Sequence, residues 1–158
     1  MLKKNREMDK YSIVRVSKDF RWEMAHALWH YDGLCKNLHG HSYKLRVTVR
    51  GHINENTSDA KLGMVLDFGD LKQIVNQNIV KIFDHSVVLN KSMNVSELDN
   101  VEELFDRIHF LPFQPTAENL VCYFSEIIMK KLPKEIELVS VRLHETANSF
   151  AEWIAEDN

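Results

Sequence analysis

The residues best suited to chemistry in this sequence are three histidines on two predicted strands. His39 and His41 flank a glycine, and on a strand such i, i+2 neighbours point to the same face about 6.5–7 Å apart. An isolated pair of this kind is more often two half-exposed strand residues than a metal site. His26 lies on the large-residue face of the neighbouring predicted strand and would complete a ligand triangle. Three neutral imidazoles leave a zinc ion (Zn²⁺) one open position, which is typical of a catalytic site.

The thiol of Cys35, four residues before His39, has two possible roles. It could be a fourth ligand that closes the metal site. Alternatively, the metal could lower the pKa of the thiol so that it moves protons or attacks a substrate. Spacing alone does not choose between these roles. Cys122 lies in an amphipathic helical pattern and is predicted to pack in the core.

Two further positions carry groups that could act on a substrate. Asp84 and His85 are adjacent at the end of a predicted helix, where such a pair usually caps the helix or lies in solvent. Glu145, near the end of the last predicted strand, could accept two hydrogen bonds from the paired N–H groups of an aminopyrimidinone ring. Taken alone, neither position predicts a role in catalysis or binding.

The elements that must position these residues follow from hydrophobic periodicity. Apolar residues alternate in the predicted strands and recur every three or four residues in the predicted helices. Residues 84–115 read as a loop with one short helix. The predicted order is three strands, two helices and a strand, at residues 20–28, 39–50, 64–68, 70–83, 117–132 and 135–146.

This order predicts an α+β domain with two helices on one face of an antiparallel sheet. Thr116 is predicted to cap the second helix, and Pro133 follows that helix as a stop. A small sheet of this kind has open edges, which are often closed by association with other copies of the chain.

Length and composition bound the class of protein. The chain has 158 residues, 44% of them hydrophobic and 27% charged, which fits one globular domain over 11–158 behind a polar tail at 1–10. A net charge of −3 disfavours a general binder of nucleic acid or anionic membranes. The sequence contains no apolar run long enough for a membrane span. Two cysteines do not build a disulfide framework, so we expect a cytoplasmic protein.

The chain resembles the 6-pyruvoyltetrahydropterin synthase family over residues 12–146. No single motif is specific, so the resemblance depends on six motifs in the family's order. The spacing from Cys35 to the His-Gly-His motif resembles the bacterial branch that makes 6-carboxy-5,6,7,8-tetrahydropterin for queuosine and other 7-deazaguanines. The motifs are FRWEMAH (20–26), CKNLHGHSY (35–43), GMVLDF (63–68), DHSVVLN (84–90), PTAEN (115–119) and HET (144–146).

The resemblance implies a fold and a set of site residues. The fold is the T-fold, a four-stranded antiparallel sheet with two helices on one face, whose sheets join into a barrel in a homotrimer or homohexamer. The zinc ligands of the family match His26, His39 and His41. Its proton-transferring triad, shared across a subunit boundary, matches Cys35, Asp84 and His85. The carboxylate that anchors the pterin ring and the segment that lines the pocket match Glu145, Thr116 and Glu118.

The implied reaction converts 7,8-dihydroneopterin triphosphate into 6-carboxy-5,6,7,8-tetrahydropterin, acetaldehyde and triphosphate. Zinc would lower the pKa of the substrate's side-chain hydroxyls and stabilise the oxyanion that forms as a carbon–carbon bond breaks. One alternative is a pyruvoyl-forming synthase, which eliminates triphosphate with the same ligands. Another is a non-catalytic protein that binds zinc or pterin on the same fold.

One segment departs from the family pattern. The stretch between His85 and Pro115 is longer than in compact members. It predicts an insertion around residues 91–112 that could reshape the pocket rim or a subunit contact.

Overall fold

A computed structural model of the chain describes residues 12–93 and 105–158. The predicted tail at 1–10 and part of the predicted insertion lie outside these residues. The described chain forms one sheet in the order β4-β3-β1-β2-β5-β6. Its strands are β1 (Ile13–His26), β2 (His39–His52), β3 (Ser86–Asn90), β4 (Ile108–Leu111), β5 (Glu137–His144) and β6 (Phe150–Ile154).

The sheet is mixed. Strands β1, β2, β5 and β6 are antiparallel neighbours, whereas β3 and β4 continue the sheet beyond β1 in parallel. The β1–β2 pairing is the longest and runs from Ile13↔His52 to His26↔His39. This register places the end of β1, which carries His26, beside the start of β2, which carries His39 and His41.

Two helical segments cover one face of this sheet. The first consists of α1 (Phe68–Val75), a π-helical turn (Asn76–Val80) and α2 (Lys81–Phe83). The second is α3 (Ala117–Met129). Thr116 caps α3 as predicted, because its side chain accepts a hydrogen bond from the Asn119 main-chain N–H. The helix ends three residues before the predicted boundary at residue 132.

The main core lies between the sheet and the helices. Alternate residues of β1 and β2 point into it, and the apolar stripes of the helices pack against them. The two helices therefore lie on one face of the sheet, as predicted. Cys122 is an exception to the predicted packing: it is exposed, and Val121 is buried instead. The fully buried side chains include Tyr43, Leu45, Val47, Leu71, Val75, Ile79, Leu120, Phe124 and Ile128.

The predicted third strand at residues 64–68 is wrong. This segment forms no strand, and α1 already begins at Phe68. Its apolar residues Val65 and Leu66 pack against the core from a loop. The Asp67 carboxylate accepts a hydrogen bond from the Gly69 N–H and so starts the helix where the apolar run predicted a strand.

The prediction that residues 84–115 form a loop is also wrong for the described part of this segment. It contains β3 and β4. With these two strands and β6 added, and with no strand at 64–68, the described sheet has six strands where four were expected. Strand β3 is buried on both faces and therefore shows a continuous apolar run without alternation. Strand β4 has only four residues. Residues 147–158, which carried no clear pattern, contain β6.

No helix formed by residues 12–93 and 105–158 combines the length and apolar character that a membrane crossing requires.

Candidate metal centre

The three histidines meet at one end of the β1–β2 pairing. His26 lies directly opposite His39, and Met24 lies opposite His41. Because side chains alternate between faces, all three imidazoles lie on the helix-facing side of the sheet. Their ring centroids are 4.6, 5.2 and 5.0 Å apart, and one ligand nitrogen of each lies within 4.8 Å of the others. The sequence prediction that these residues converge is confirmed.

Main-chain carbonyls orient two of the rings. His26 Nδ1 donates to the Pro115 carbonyl at 2.7 Å, and His39 Nδ1 donates to the Asn37 carbonyl at 2.8 Å. The proton of each neutral ring therefore lies on Nδ1, which leaves Nε2 with a free lone pair. Such outer hydrogen bonds are typical of histidines that bind a metal through the opposite nitrogen.

The free nitrogens are close together and lack donors. His26 Nε2 and His39 Nε2 are 3.1 Å apart, and two unprotonated nitrogens at this distance repel each other. The Nε2 atom of His41 is buried and has no hydrogen-bond partner among the described residues. Buried polar atoms without partners are rare and need an explanation. A cation bound by these nitrogens would satisfy all three.

The environment keeps the imidazoles in the form that binds metal. Burial lowers the pKa of His26, while the Pro115 carbonyl and Glu145 oppose this effect. Burial also lowers the pKa of His41, opposed by Glu145 and assisted by His39. Both rings are therefore favoured as neutral ligands near pH 7.

The group is buried on one side and accessible on the other. The side chain of His26 is 2% exposed, whereas that of His41 is 20% exposed. His39 is half-buried as well. A substrate atom could therefore approach the three nitrogens from the side of His39 and His41. The chemistry of the donor set fits a metal ion with three protein ligands and an open position.

Glu145 lies beside this group. Its Oε1 atom is 3.5 Å from His26 Nε2 and 4.0 Å from His41 Nε2. It also interacts with Tyr43: burial, the charge of Glu145 and a hydrogen bond to Glu145 raise the pKa of the Tyr43 phenol. The phenol therefore stays protonated, and its hydroxyl oxygen lies 3.4 Å from His26 Nδ1.

Cys35 is outside the group of metal-binding atoms. It is exposed in a short 3-10 helix (Leu34–Lys36), and the set of described ligand atoms within 4.8 Å contains only the three imidazoles. The loop that carries Cys35 is held beside the residues that follow β1, because the Leu28 N–H donates a hydrogen bond to the Cys35 carbonyl at 2.9 Å. The thiol therefore lies in a loop anchored near the end of β1.

Asp84 and His85 form the predicted pair but lie elsewhere. His85 Nδ1 is 2.9 Å from Asp84 Oδ1, and the His85 side chain is 74% exposed. His85 lines a groove with Glu23, Ala25, Ser42 and His41. Strand alternation places the side chains of Glu23 and Ala25 on the sheet face opposite the three imidazoles. Neither Asp84 nor His85 belongs to the described set of ligand atoms that lie within 4.8 Å of one another.

The PTAEN segment contacts the three histidines through Pro115. Thr116 caps α3 and Glu118 is exposed in its first turn. The Pro115 carbonyl accepts a hydrogen bond from the His26 ring and orients it. Sequence analysis missed this contact and the Asn37 carbonyl, because a main-chain acceptor has no side-chain signature. Tyr43 shares the strand parity of His39 and His41, but no local pattern links it to Glu145.

Comparison with known proteins agrees with this geometry. The profile of the 6-pyruvoyl tetrahydropterin synthase family matches residues 15–156. The chain is 36% identical over 143 residues to 6-carboxy-5,6,7,8-tetrahydropterin synthase of Haemophilus influenzae, with 89% of this chain and 99% of the relative covered. It is 33% identical over 164 residues to the Aquifex aeolicus protein of that name, with 89% and 98% covered.

Solved structures show the same fold. The 6-pyruvoyl tetrahydropterin synthase of Caenorhabditis elegans aligns with a TM-score of 0.66 at 24% identity, covering 94% of this chain and 99% of that chain. An uncharacterized protein of Wolinella succinogenes aligns with a TM-score of 0.74 at 19% identity, covering 91% and 99%. The expected T-fold is confirmed, with six strands in the described part of the sheet. The family profile spans both the strands that carry the three imidazoles and the segment that carries Glu145, and the chain belongs to the 6-pyruvoyl tetrahydropterin synthase family.

Proposed function

We propose that this protein is a zinc-dependent lyase that converts 7,8-dihydroneopterin triphosphate into 6-carboxy-5,6,7,8-tetrahydropterin, acetaldehyde and triphosphate, with uptake of water. Two relatives that are covered over 99% and 98% of their length carry the name of that product's synthase. The observation that carries the proposal is the three-imidazole group, open on one side, with Glu145 Oε1 within 4.0 Å of two of its nitrogens. The product would serve the synthesis of queuosine and other 7-deazaguanines.

His26, His39 and His41 would hold the zinc ion. When bound, zinc supplies a Lewis acid that lowers the pKa of substrate hydroxyls and stabilises negative charge on oxygen. The chain's own part is to present three neutral rings in a fixed orientation, which the carbonyl acceptors of Pro115 and Asn37 support. The partial exposure of His41 leaves room for the substrate side chain.

Glu145 would bind the pterin ring. A carboxylate accepts two parallel hydrogen bonds from an N–H pair, and this geometry selects an aminopyrimidinone edge. The charge of this carboxylate and burial raise the pKa of the Tyr43 phenol, so the phenol stays a neutral neighbour of Glu145. The ring would therefore be oriented with its side chain toward the imidazoles. Thr116 and Glu118 would line the pocket near this position.

Cys35, Asp84 and His85 would move protons. The exposed Cys35 thiol would reach a substrate at the mouth of the site. The Asp84 carboxylate, 2.9 Å from His85 Nδ1, would orient the His85 ring. Because the pair lies outside the group of metal-binding atoms of its own chain, we propose that it serves the site of a neighbouring copy. The open edge strands β4 and β6 would support such a homotrimer or homohexamer.

Product analysis tests the proposal. Zinc-loaded protein is incubated with 7,8-dihydroneopterin triphosphate, and the pterin product and acetaldehyde are measured by mass spectrometry. We expect one acetaldehyde per carboxytetrahydropterin. A retained three-carbon side chain without acetaldehyde would identify the pyruvoyl-forming reaction instead. Binding of zinc and pterin without turnover would identify a non-catalytic protein.

The role of Cys35 is tested separately. The Cys35→Ala variant should lose most turnover and keep its bound zinc, because the structure leaves the thiol outside the group of metal-binding atoms. Cys122→Ala is the matched control, since this thiol is also exposed but lies on α3. Loss of zinc together with turnover would make Cys35 a metal ligand and contradict its proposed proton transfer.

A further inference from the structure

The chain turns sharply at Asp84 and His85, between α2 and β3. His85 has φ +55°, in the left-handed region that non-glycine residues rarely adopt. Its N–H donates to the Glu23 carbonyl at 2.7 Å. In return, the Glu23 N–H donates to Asp84 Oδ1 at 3.1 Å. Strand β1 therefore holds this corner on one side.

Two side chains of the segment at β4 hold the corner on its other side. Arg107 Nη2 donates to the carbonyls of Lys81 and Ile82, at 3.0 Å in the second case. His109 Nε2 donates to the same Ile82 carbonyl at 2.8 Å. These carbonyls belong to the last turn of the helix, which lacks intrahelical partners for them. Arg107 and His109 thus bind the main-chain carbonyls of the residues that lie two and three positions before Asp84.

The segment that carries Arg107 and His109 is itself fixed to the sheet. The Val87 N–H donates to the Arg107 carbonyl at 2.9 Å, and His109 lies opposite Val88 in the β3–β4 pairing. The ring of His109 also packs against Phe83, with centroids 5.4 Å apart. Both residues lie in the stretch around 91–112 that the sequence predicts to be an insertion.

We propose that Arg107 and His109 are positioning residues that hold the corner in the conformation required by the Asp84–His85 pair. This inference rests on the proposed function, in which His85 transfers a proton. The exposed His85 ring has little packing to orient it. Its direction depends on the 2.9 Å contact between Nδ1 and Asp84 Oδ1 and on the strained backbone at residue 85. Strain of this kind persists only where the surroundings impose it.

The local backbone supports the same reading. The π-helical turn at Asn76–Val80 directly precedes α2, and such turns are frequent near functional sites. The Asp84 N–H still donates to the Val80 carbonyl at 2.8 Å. The helix end and the following corner are therefore one connected unit. The side chains of Arg107 and His109 donate hydrogen bonds to the carbonyls at the helix end of this unit.

The first test replaces the donor at residue 107. Arg107→Gln should lower kcat at least about tenfold with less than a twofold change in KM, because the pocket and its ligands are untouched. Zinc content should stay at the wild-type level. Arg107→Lys should recover only part of kcat, since an ammonium does not reproduce the planar fork that spans two carbonyls. His109→Gln, which keeps an N–H donor, should lose less activity than His109→Ala.

Arg50→Gln is the matched control. Arg50 also makes two contacts, with Glu137 at the far end of the sheet, so its loss removes a comparable surface interaction. All assays are run at a temperature where thermal unfolding shows each variant folded. A kcat of Arg107→Gln equal to that of Arg50→Gln would overturn the positioning role.

A double-mutant cycle separates positioning from general stability. Arg107→Gln is measured in the wild-type and the His85→Ala backgrounds. If Arg107 acts through His85, it should change kcat less than twofold once the imidazole is absent. Equal losses in both backgrounds would show a purely structural role and overturn the inference.

The same cycle distinguishes failure of this inference from failure of the proposed function. An impaired His85→Ala with an unimpaired Arg107→Gln overturns the positioning role alone. A His85→Ala variant with the wild-type kcat overturns the proton-transfer role of His85, and the inference falls with it.

Discussion

His26 and His39 bring their Nε2 atoms to 3.1 Å while each Nδ1 donates to a main-chain carbonyl. The carbonyls fix both protons on the outer nitrogens, so the inner pair cannot form a hydrogen bond with neutral rings. A shared cation removes the repulsion between their lone pairs. The hydrogen bonds from Nδ1 to two loop carbonyls thus leave both Nε2 atoms free to bind a cation.

Loss of one imidazole should abolish tight metal binding. His41→Ala leaves two protein ligands, so bound zinc measured by mass spectrometry should fall from one per chain to well below one. His52→Ala, at the opposite end of β2 and exposed, should keep the wild-type content. Full zinc occupancy in His41→Ala would contradict the proposed ligand set.

Loss of the charge on Glu145 should weaken substrate binding. Glu145→Gln keeps the shape of the side chain but replaces one acceptor with a donor, and a hydrogen bond to a charged group contributes about 1.5–3 kcal/mol. We expect KM to rise tenfold or more, with zinc content retained. Glu137→Gln removes an exposed carboxylate remote from the site and should leave KM unchanged. An unaltered KM in Glu145→Gln would contradict the anchoring role.

Acid should weaken the fold partly through Asp19. The hydrogen bond from Arg46 holds the pKa of the Asp19 carboxyl well below its usual range, and Lys44 adds to this effect. In the unfolded chain the carboxyl titrates near pH ~3.9. The stabilisation is therefore complete above that pH and is lost as the pH falls toward the folded-state pKa.

Urea unfolding of Asp19→Asn between pH 2 and 7 checks this effect. Because the Asp19 side chain is 35% exposed, screening limits the loss of unfolding free energy at pH 7 to about 1 kcal/mol. The difference from wild type should shrink as the pH falls below ~4. Asp32→Asn, in an exposed loop, should show no such trend. A difference independent of pH would refute the assignment.

Removal of the α3 cap should cost stability. Thr116→Ala loses the oxygen that accepts from the Asn119 N–H, and such changes cost about 1 kcal/mol. Thr116→Ser keeps that oxygen and should remain close to wild type. Chemical denaturation measures both variants, and KM measured alongside tests the proposed contact with substrate. Equal stability of all three proteins would refute the capping role.

The pattern of individual segments predicted much of the fold. Alternation in residues 39–50 predicted β2 with its histidines on the buried face, and Thr116 marked the start of α3. Where patterns failed, burial or local hydrogen bonding was the reason. Strand β3 has apolar residues on both faces, so its sequence does not alternate. The apolar run at 64–67 forms no strand, because the Asp67 carboxylate caps a helix that begins at Phe68.

The sequence by itself determined the ligand types and, through the period of two, which of them share a face. Only the tertiary structure decided that His26 lies opposite His39, that Pro115 orients His26 and that Asp84 and His85 lie outside the group formed by these rings. Register and main-chain contacts join residues far apart in the chain, and no local pattern encodes them. The side-chain types determine which ligands and acids the site can offer. Their geometry depends on main-chain contacts between segments that become neighbours only on folding.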